Sequence, residues 1–157
     1  MSLILTSSAF VHGGEIPERH GCEGENLSPD LAWSGVPPAC RSLVLLIDDP
    51  DAPDPRAPRM VWDHWLLYNL PPDCQGLPAG VREAELPAGT RQGLNSWGRT
   101  SYGGPCPPSG THRYFFKVYA LDTLLALKEG ATKAELLKAM EGHVLAQGQL
   151  MGKYKRS

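Results

Sequence analysis

What most constrains this chain is the order of its periodic segments: three strand-length apolar runs joined by glycine- and proline-rich connections, with a helical pattern only near the end. Residues 42–48 (SLVLLID) are apolar at both parities and bounded by Arg41 and Asp49-Pro50, as expected for a central strand covered on both faces. Residues 61–70 (VWDHWLLYNL) have the same character and stop at Pro71-Pro72, which cannot continue a ladder. Residues 113–121 put Tyr114, Phe116, Val118 and Ala120 on one face and Arg113, Phe115, Lys117 and Tyr119 on the other. Weaker strand signals cover residues 3–10, 31–33 and 149–154. The helical pattern runs over residues 132–147, with a Thr132/Glu135 capping box and an apolar stripe of Leu136, Leu137, Met140, Val144 and Leu145. One late helix cannot supply the crossovers that parallel strands require. The expected fold is therefore mainly β, an antiparallel β-sandwich with a peripheral C-terminal helix, with residues 1–157 forming one domain.

Segment 71–110 holds 15 of the chain's glycines and prolines and shows no sustained period. Long connections in compact domains tend to be functional or disordered. Trp97, Tyr102 and the stiff run from Gly103 to Pro108 favour an ordered, site-shaping loop. A formal charge of -2 gives no positive field to attract nucleic acid or an anionic membrane, and the apolar runs are too short to span a bilayer. The first residues lack a basic n-region, so a cytoplasmic location is expected. The four cysteines, Cys22, Cys40, Cys74 and Cys106, suit two disulfides in a secreted chain or free thiols otherwise; with no signal peptide, free thiols are expected.

Several residues suit chemistry. Asp48-Asp-Pro-Asp-Ala-Pro53 places three carboxylates after a buried strand, either as an acidic turn or as a carboxylate held rigidly by its prolines. His64 is read as sharing a strand face with Trp62, Leu66 and Tyr68, either as a core histidine or as a site group. His112 sits at the mouth of the third strand. Gly103-Gly104 offers consecutive amides that can form an anion-binding concavity, with aromatic walls from Trp62, Trp65, Trp97 and Tyr102. His12, His20 and Cys22 are read as a solvated N-terminal cluster, and His143 as structural.

The order Asp49-Pro-Asp-Ala-Pro53, Asp63-His64-Trp65, Tyr102-Gly-Gly-Pro-Cys-Pro-Pro108 and His112-Arg-Tyr114 resembles the phosphatidylethanolamine-binding protein family in its short bacterial and archaeal, Raf-kinase-inhibitor-like branch. Outlying pieces extend the likeness over nearly the whole chain: Glu15-Ile-Pro17, Gly24-Glu-Asn-Leu-Ser-Pro29, Trp33, Gly142-His143 and Gly152-Lys-Tyr154. The resemblance implies a β-sandwich with a small anion pocket formed by Asp49, His64, Gly104, Pro105, His112 and Tyr114. Trp62 and Pro53 complete the candidate ligand-binding set, and a cis Ala52-Pro53 bond is implied. The chain ends soon after Tyr154, where animal members carry a further helix, so their kinase and membrane roles do not transfer.

The function expected is a binding protein for small anionic or phosphorylated ligands, similar to a phospholipid head group, with a regulatory or inhibitory role towards a kinase or protease partner. The alternative is a hydrolase or phosphoryl-handling enzyme using the Asp/His pocket. Against it, there is no Gly-x-Ser-x-Gly elbow, Walker loop or HExxH motif. A two-His, one-carboxylate metal site from Asp49, His64 and His112 is a third reading, disfavoured by the glycine amides. No cofactor is implied, and resemblance to bacterial members suggests a homodimer. Because a carboxylate beside an anion is repulsive, binding is expected to take up a proton near neutral pH.

Overall fold

Residues 42–48 are buried at both parities because they run through the middle of a five-stranded sheet with a second layer on each face. The computed structural model describes residues 2–157. In chain order the strands are β1 (Ile4–Thr6), β2 (Leu31–Ser34), β3 (Ser42–Ala52), β4 (Met60–Leu70), β5 (Gly76–Leu77), β6 (Arg91–Gln92), β7 (His112–Leu121) and β8 (Val144–Tyr154), with helix α1 (Lys133–Met140) before β8. The large sheet has the order β6-β4-β3-β7-β8 and the small one β1-β2-β5, and all these pairings are antiparallel.

On one face of the large sheet, Leu45 and Ile47 of β3, Leu67 of β4 and Phe116 of β7 meet Leu5, Leu31 and Trp33 of the small sheet. On the other, Val44, Leu46, Leu66 and Tyr68 lie beneath Leu136 and Met140 of α1. The expected mainly β, antiparallel fold with one late helix is what the chain forms. Part of segment 71–110 runs alongside the outer edge of β4, where the Gly93, Ser96 and Gly103 N–H groups donate to the carbonyls of Leu66, Asp63 and His64.

Three expectations need correction. The helix stops at Met140 instead of continuing to residue 147. Its Thr132/Glu135 capping box forms as read, but Gly142 turns the chain at φ 78° and Val144 enters β8. The ladder to β7, running from Leu121↔Val144 to His112↔Tyr154, satisfies more backbone groups than two further helical turns would. Val144, placed on the helix stripe, instead begins β8 and is 44% exposed, while Leu137 stays within α1 but lies off its buried face, 42% exposed.

Second, the thiols are not all free. Cys22 and Cys106, 84 residues apart, form a disulfide, and only Cys40 and Cys74 are free. The pairing follows from a backbone contact that sequence spacing does not reveal, the Cys22 N–H donating to the Pro105 carbonyl at 3.0 Å. Third, His20 is fully buried, not solvated: Nδ1 bonds the Leu27 carbonyl and Nε2 accepts from Arg19 Nε. No helix among the described residues is long and apolar enough to cross a membrane.

Candidate functional site

The site depends on a single extra residue in β4. Strand β3 pairs Ile47 with Trp65 but Asp48 with Asp63, which leaves His64 as a β-bulge. Above the bulge, Leu66 and Tyr68 face α1. At the bulge the alternation slips by one, so His64 points to the opposite face, its ring edge-on to Trp97 at 5.0 Å and to Tyr114 at 5.1 Å. His64 therefore does not share a face with Leu66 and Tyr68 as its parity suggested. Asp63 is turned towards α1, where Lys133 Nζ bonds it at 2.8 Å.

The acidic motif is strand, not turn, since β3 extends through it to Ala52. Its three carboxylates diverge. Asp48 takes Lys117 and Lys133 on the α1 side, at 3.0 and 3.2 Å. Asp51 accepts from the Arg113 backbone N–H and from the Nε and Nη2 of its guanidinium, which hold its carboxyl below the usual range. Asp49 points inward, with Oδ1 accepting from the Asp51 N–H at 2.7 Å and Oδ2 lying 2.6 Å from His112 Nδ1. The chain then turns at a cis Ala52-Pro53 bond.

These groups form the floor of a cavity of about 350 Å³: Asp49, His64, His112 and Tyr114. Pro53, Trp62 and Trp97 form part of its walls, together with Met60, Pro107 and Pro108. Of the candidate residues, the fold thus brings together Asp49, Pro53, Trp62, His64, His112 and Tyr114. Gly104 and Pro105 are not among the lining residues, and the glycine amides are already bonded. Gly103 N–H donates to the His64 carbonyl at 3.1 Å and Gly104 N–H to Asn26 Oδ1 at 2.8 Å. Gly104 serves close packing instead, since a Cβ there would lie 2.1 Å from the His20 carbonyl oxygen. Trp65 and Tyr102 pack on each other away from this cavity, with the Trp65 indole N–H bonded to Gln92. Sequence reasoning did not place Met60 at the site; it lies just outside the apolar run, with no local signal to mark it.

Electrostatically the floor is neutral in character. Burial lowers the His64 pKa to about 4, opposed by the Gly103 carbonyl, which accepts from Nδ1 at 2.7 Å. Burial likewise raises the Asp49 carboxyl, with the His112 bond pulling the other way. Both nitrogens of His112 face oxygen: Asp49 Oδ2, and the Ser109 carbonyl at 2.9 Å from Nε2. Because a carbonyl only accepts, Nε2 carries hydrogen, and one proton is then shared between Nδ1 and Asp49. Two buried floor atoms make no hydrogen bond of normal geometry among the described residues: His64 Nε2, and the Tyr114 hydroxyl, which lies close enough to Asp49 that this carboxylate adds to burial in pushing the phenol pKa up. Among those residues, no group of three side chains converges with metal-binding geometry.

Comparisons with known proteins place the chain's family and fold. The chain is 53% identical to a UPF0098 protein of Methanothermobacter thermautotrophicus over 97% of its own length and 98% of that protein's. A phosphatidylethanolamine-binding protein homologue from Chlamydia trachomatis superposes with a TM-score of 0.91 at 43% identity, covering 99% of both chains. YbcL of Escherichia coli, described as a member of the mammalian family, superposes at 0.89 with 31% identity over the whole of both chains. A carboxypeptidase Y inhibitor, solved with its cognate proteinase, shares the fold at a TM-score of 0.59 and 20% identity, over 98% of this chain and 83% of that one. With the model of the phosphatidylethanolamine-binding proteins matching residues 6–155, the chain belongs to that family.

Proposed function

We propose that the cavity binds small anionic or phosphorylated ligands and that the chain works as a binding protein. The observation that carries this reading is the pair of buried polar atoms without a hydrogen bond of normal geometry, His64 Nε2 and the Tyr114 hydroxyl, on the floor of a cavity whose walls are aromatic and apolar. Buried polar atoms are rarely left unpaired, and a compact polar head with an apolar remainder would satisfy both floor and walls. Catalysis is less well supported. The lining thiol, Cys106, is tied up in a disulfide, and the Asp49–His112 pair has no serine or threonine beside it among the lining residues.

A regulatory role would act through the half-exposed Met60 and Trp97 of the cavity wall, which are 45% and 42% exposed, by contact with a kinase or protease partner. The disulfide weighs against the cytoplasmic location expected from the N-terminal sequence, because structural disulfides persist mainly in oxidising compartments.

Calorimetry with phenyl phosphate, in buffers of different ionisation enthalpy, tests the reading. Saturable binding with a buffer-dependent heat, weakened by Tyr114→Phe and His112→Ala, is the expected result. Absence of binding at millimolar ligand would overturn it.

A further inference from the structure

A second cavity, of about 340 Å³, is formed by residues 26–28, residues 80–86 and the Trp65–Tyr102 pair, and it shares no lining residue with the first. That volume falls among small-ligand clefts, which run from about 300 to 1,000 Å³. Its aromatic walls are fixed before any ligand arrives. The Trp65 indole N–H donates to Gln92 Oε1 at 2.8 Å, the Tyr102 hydroxyl donates to the His20 carbonyl at 2.7 Å, and the two rings meet edge to face at 5.5 Å. Leu27, Val81 and Leu86 add aliphatic surface.

The polar group built into this cavity is Gln92, which is 5% exposed. An indole nitrogen only donates, so the Gln92 atom that faces Trp65 is the amide oxygen, and the NH2 end is left over. The backbone holds the residue on both sides, its N–H donating to Glu129 Oε1 at 2.9 Å and its carbonyl accepting from the Gly130 N–H at 2.8 Å. Nε2 bonds no described residue, yet unlike His64 Nε2 it is not sealed from solvent, and the cavity is its outlet. Ser28 is 3% exposed with its carbonyl taken by the Gly80 N–H at 2.8 Å, which leaves its hydroxyl as the group it offers. Formal charge stays at the rim: Glu83 is exposed, and so is Arg82, which pairs with Glu85. A charged ligand would lose hydration there without meeting a buried counter-ion.

We infer that this second cavity binds small uncharged aromatic carboxamides, the ring lying against Trp65 and Tyr102, the carbonyl oxygen accepting from Gln92 Nε2 and the amide N–H donating to Ser28 Oγ. Both ends of the amide then meet groups already held in place, so little ordering is needed on binding. Related compounds each lack a part of this match. A benzoate brings a charge and no donor, a benzylammonium brings a charge and no acceptor, and an alkylbenzene brings the ring alone. The inference stands independently of the anion site.

The test titrates benzamide, benzoate, benzylamine and toluene into the ¹⁵N-labelled wild-type protein at neutral pH, followed by two-dimensional NMR. Benzamide is expected to saturate with a Kd of about 1–20 mM, the range of so small a ligand. It should shift the Gln92 side-chain NH2 and Trp65 indole N–H signals and give intermolecular NOEs to Tyr102 and Leu27. The other three should bind at least about fivefold more weakly, the size of one lost hydrogen bond. Gln92→Glu keeps an acceptor for Trp65 but removes the donor, and should weaken benzamide by at least the same factor. Ser28→Ala should weaken it about threefold and carries the test if Gln92→Glu fails to fold. Shifts confined to Trp62, Trp97 and His112 would put benzamide in the first cavity and overturn the inference. So would equal affinity for toluene or benzoate, unchanged affinity in the folded variants, or no saturation by about 50 mM.

Discussion

His112 lies 2.6 Å from Asp49 through Nδ1, while its Nε2 faces the Ser109 carbonyl at 2.9 Å, so the acid and the imidazole hold one proton between them. An amide can reproduce that arrangement. In Asp49→Asn the side-chain N–H can donate to a neutral His112 Nδ1 while the oxygen still accepts from the Asp51 N–H. The expected cost is below about 1 kcal/mol. Asp49→Ala leaves the Asp51 N–H and His112 Nδ1 buried without partners and should cost about 2–4 kcal/mol. Urea unfolding of the two variants decides it; equal losses would mean that the pair is held as carboxylate and imidazolium.

The Cys22–Cys106 disulfide joins the segment around His20 to the proline-rich wall of the cavity. Closing an 84-residue separation restricts the unfolded chain strongly, and Cys22→Ser/Cys106→Ser should lose about 2–5 kcal/mol. Alkylation in denaturant without reductant should label two cysteines, Cys40 and Cys74, and four after reduction. In the folded protein those two should react slowly, since burial pushes both thiols up. Labelling of all four without reductant would refute the pairing.

Gly104 offers a sharper test of close packing. A Cβ at this position would stand 2.1 Å from the His20 carbonyl oxygen and 2.4 Å from Asn26 Oδ1, both fixed by hydrogen bonds of their own. Gly104→Ala should destabilise by about 1–3 kcal/mol and slow the recovery of native fluorescence from Trp97 and Tyr102. An unchanged denaturation midpoint would show that the loop has room to yield.

The parts of this site visible in the sequence were those set by strand ends. Asp49 follows an apolar run and His112 precedes another, so their meeting across β3 and β7 follows from antiparallel pairing. The orientation of His64 was hidden. A bulge is one residue of register, and the alternation of residues 61–70 is equally consistent with a strand lacking it. The glycine amides misled for a related reason: Gly103 and Gly104 do supply free approach, but the approach is by the His64 and Asn26 partners of the fold, not by a ligand. The tail of the helix pattern failed because Val144 and Leu145 fit a helical stripe and an edge strand alike, and only the ladder to β7 chooses between them.

The depressed His64 pKa makes stability depend on pH with a defined sign. Unfolded, the ring titrates near 6.5; folded, it does so near 4, because burial disfavours the imidazolium. Between these values the unfolded chain binds more protons, so stability rises with pH. The contribution is fully present above pH 6.5 and lost as pH falls through 4, and it amounts to about 3 kcal/mol. His20, whose pKa is lowered mainly by burial, acts in the same direction. Asp49 acts in the opposite one, since its raised carboxyl favours the folded state at low pH and loses that advantage as pH rises. Urea midpoints measured from pH 4.5 to 7.5 should therefore climb, and His64→Gln should flatten most of the climb while leaving the part due to His20. A variant curve parallel to the wild type would mean that His64 titrates in the folded protein as it does in the unfolded chain, and that Nε2 is reached by water.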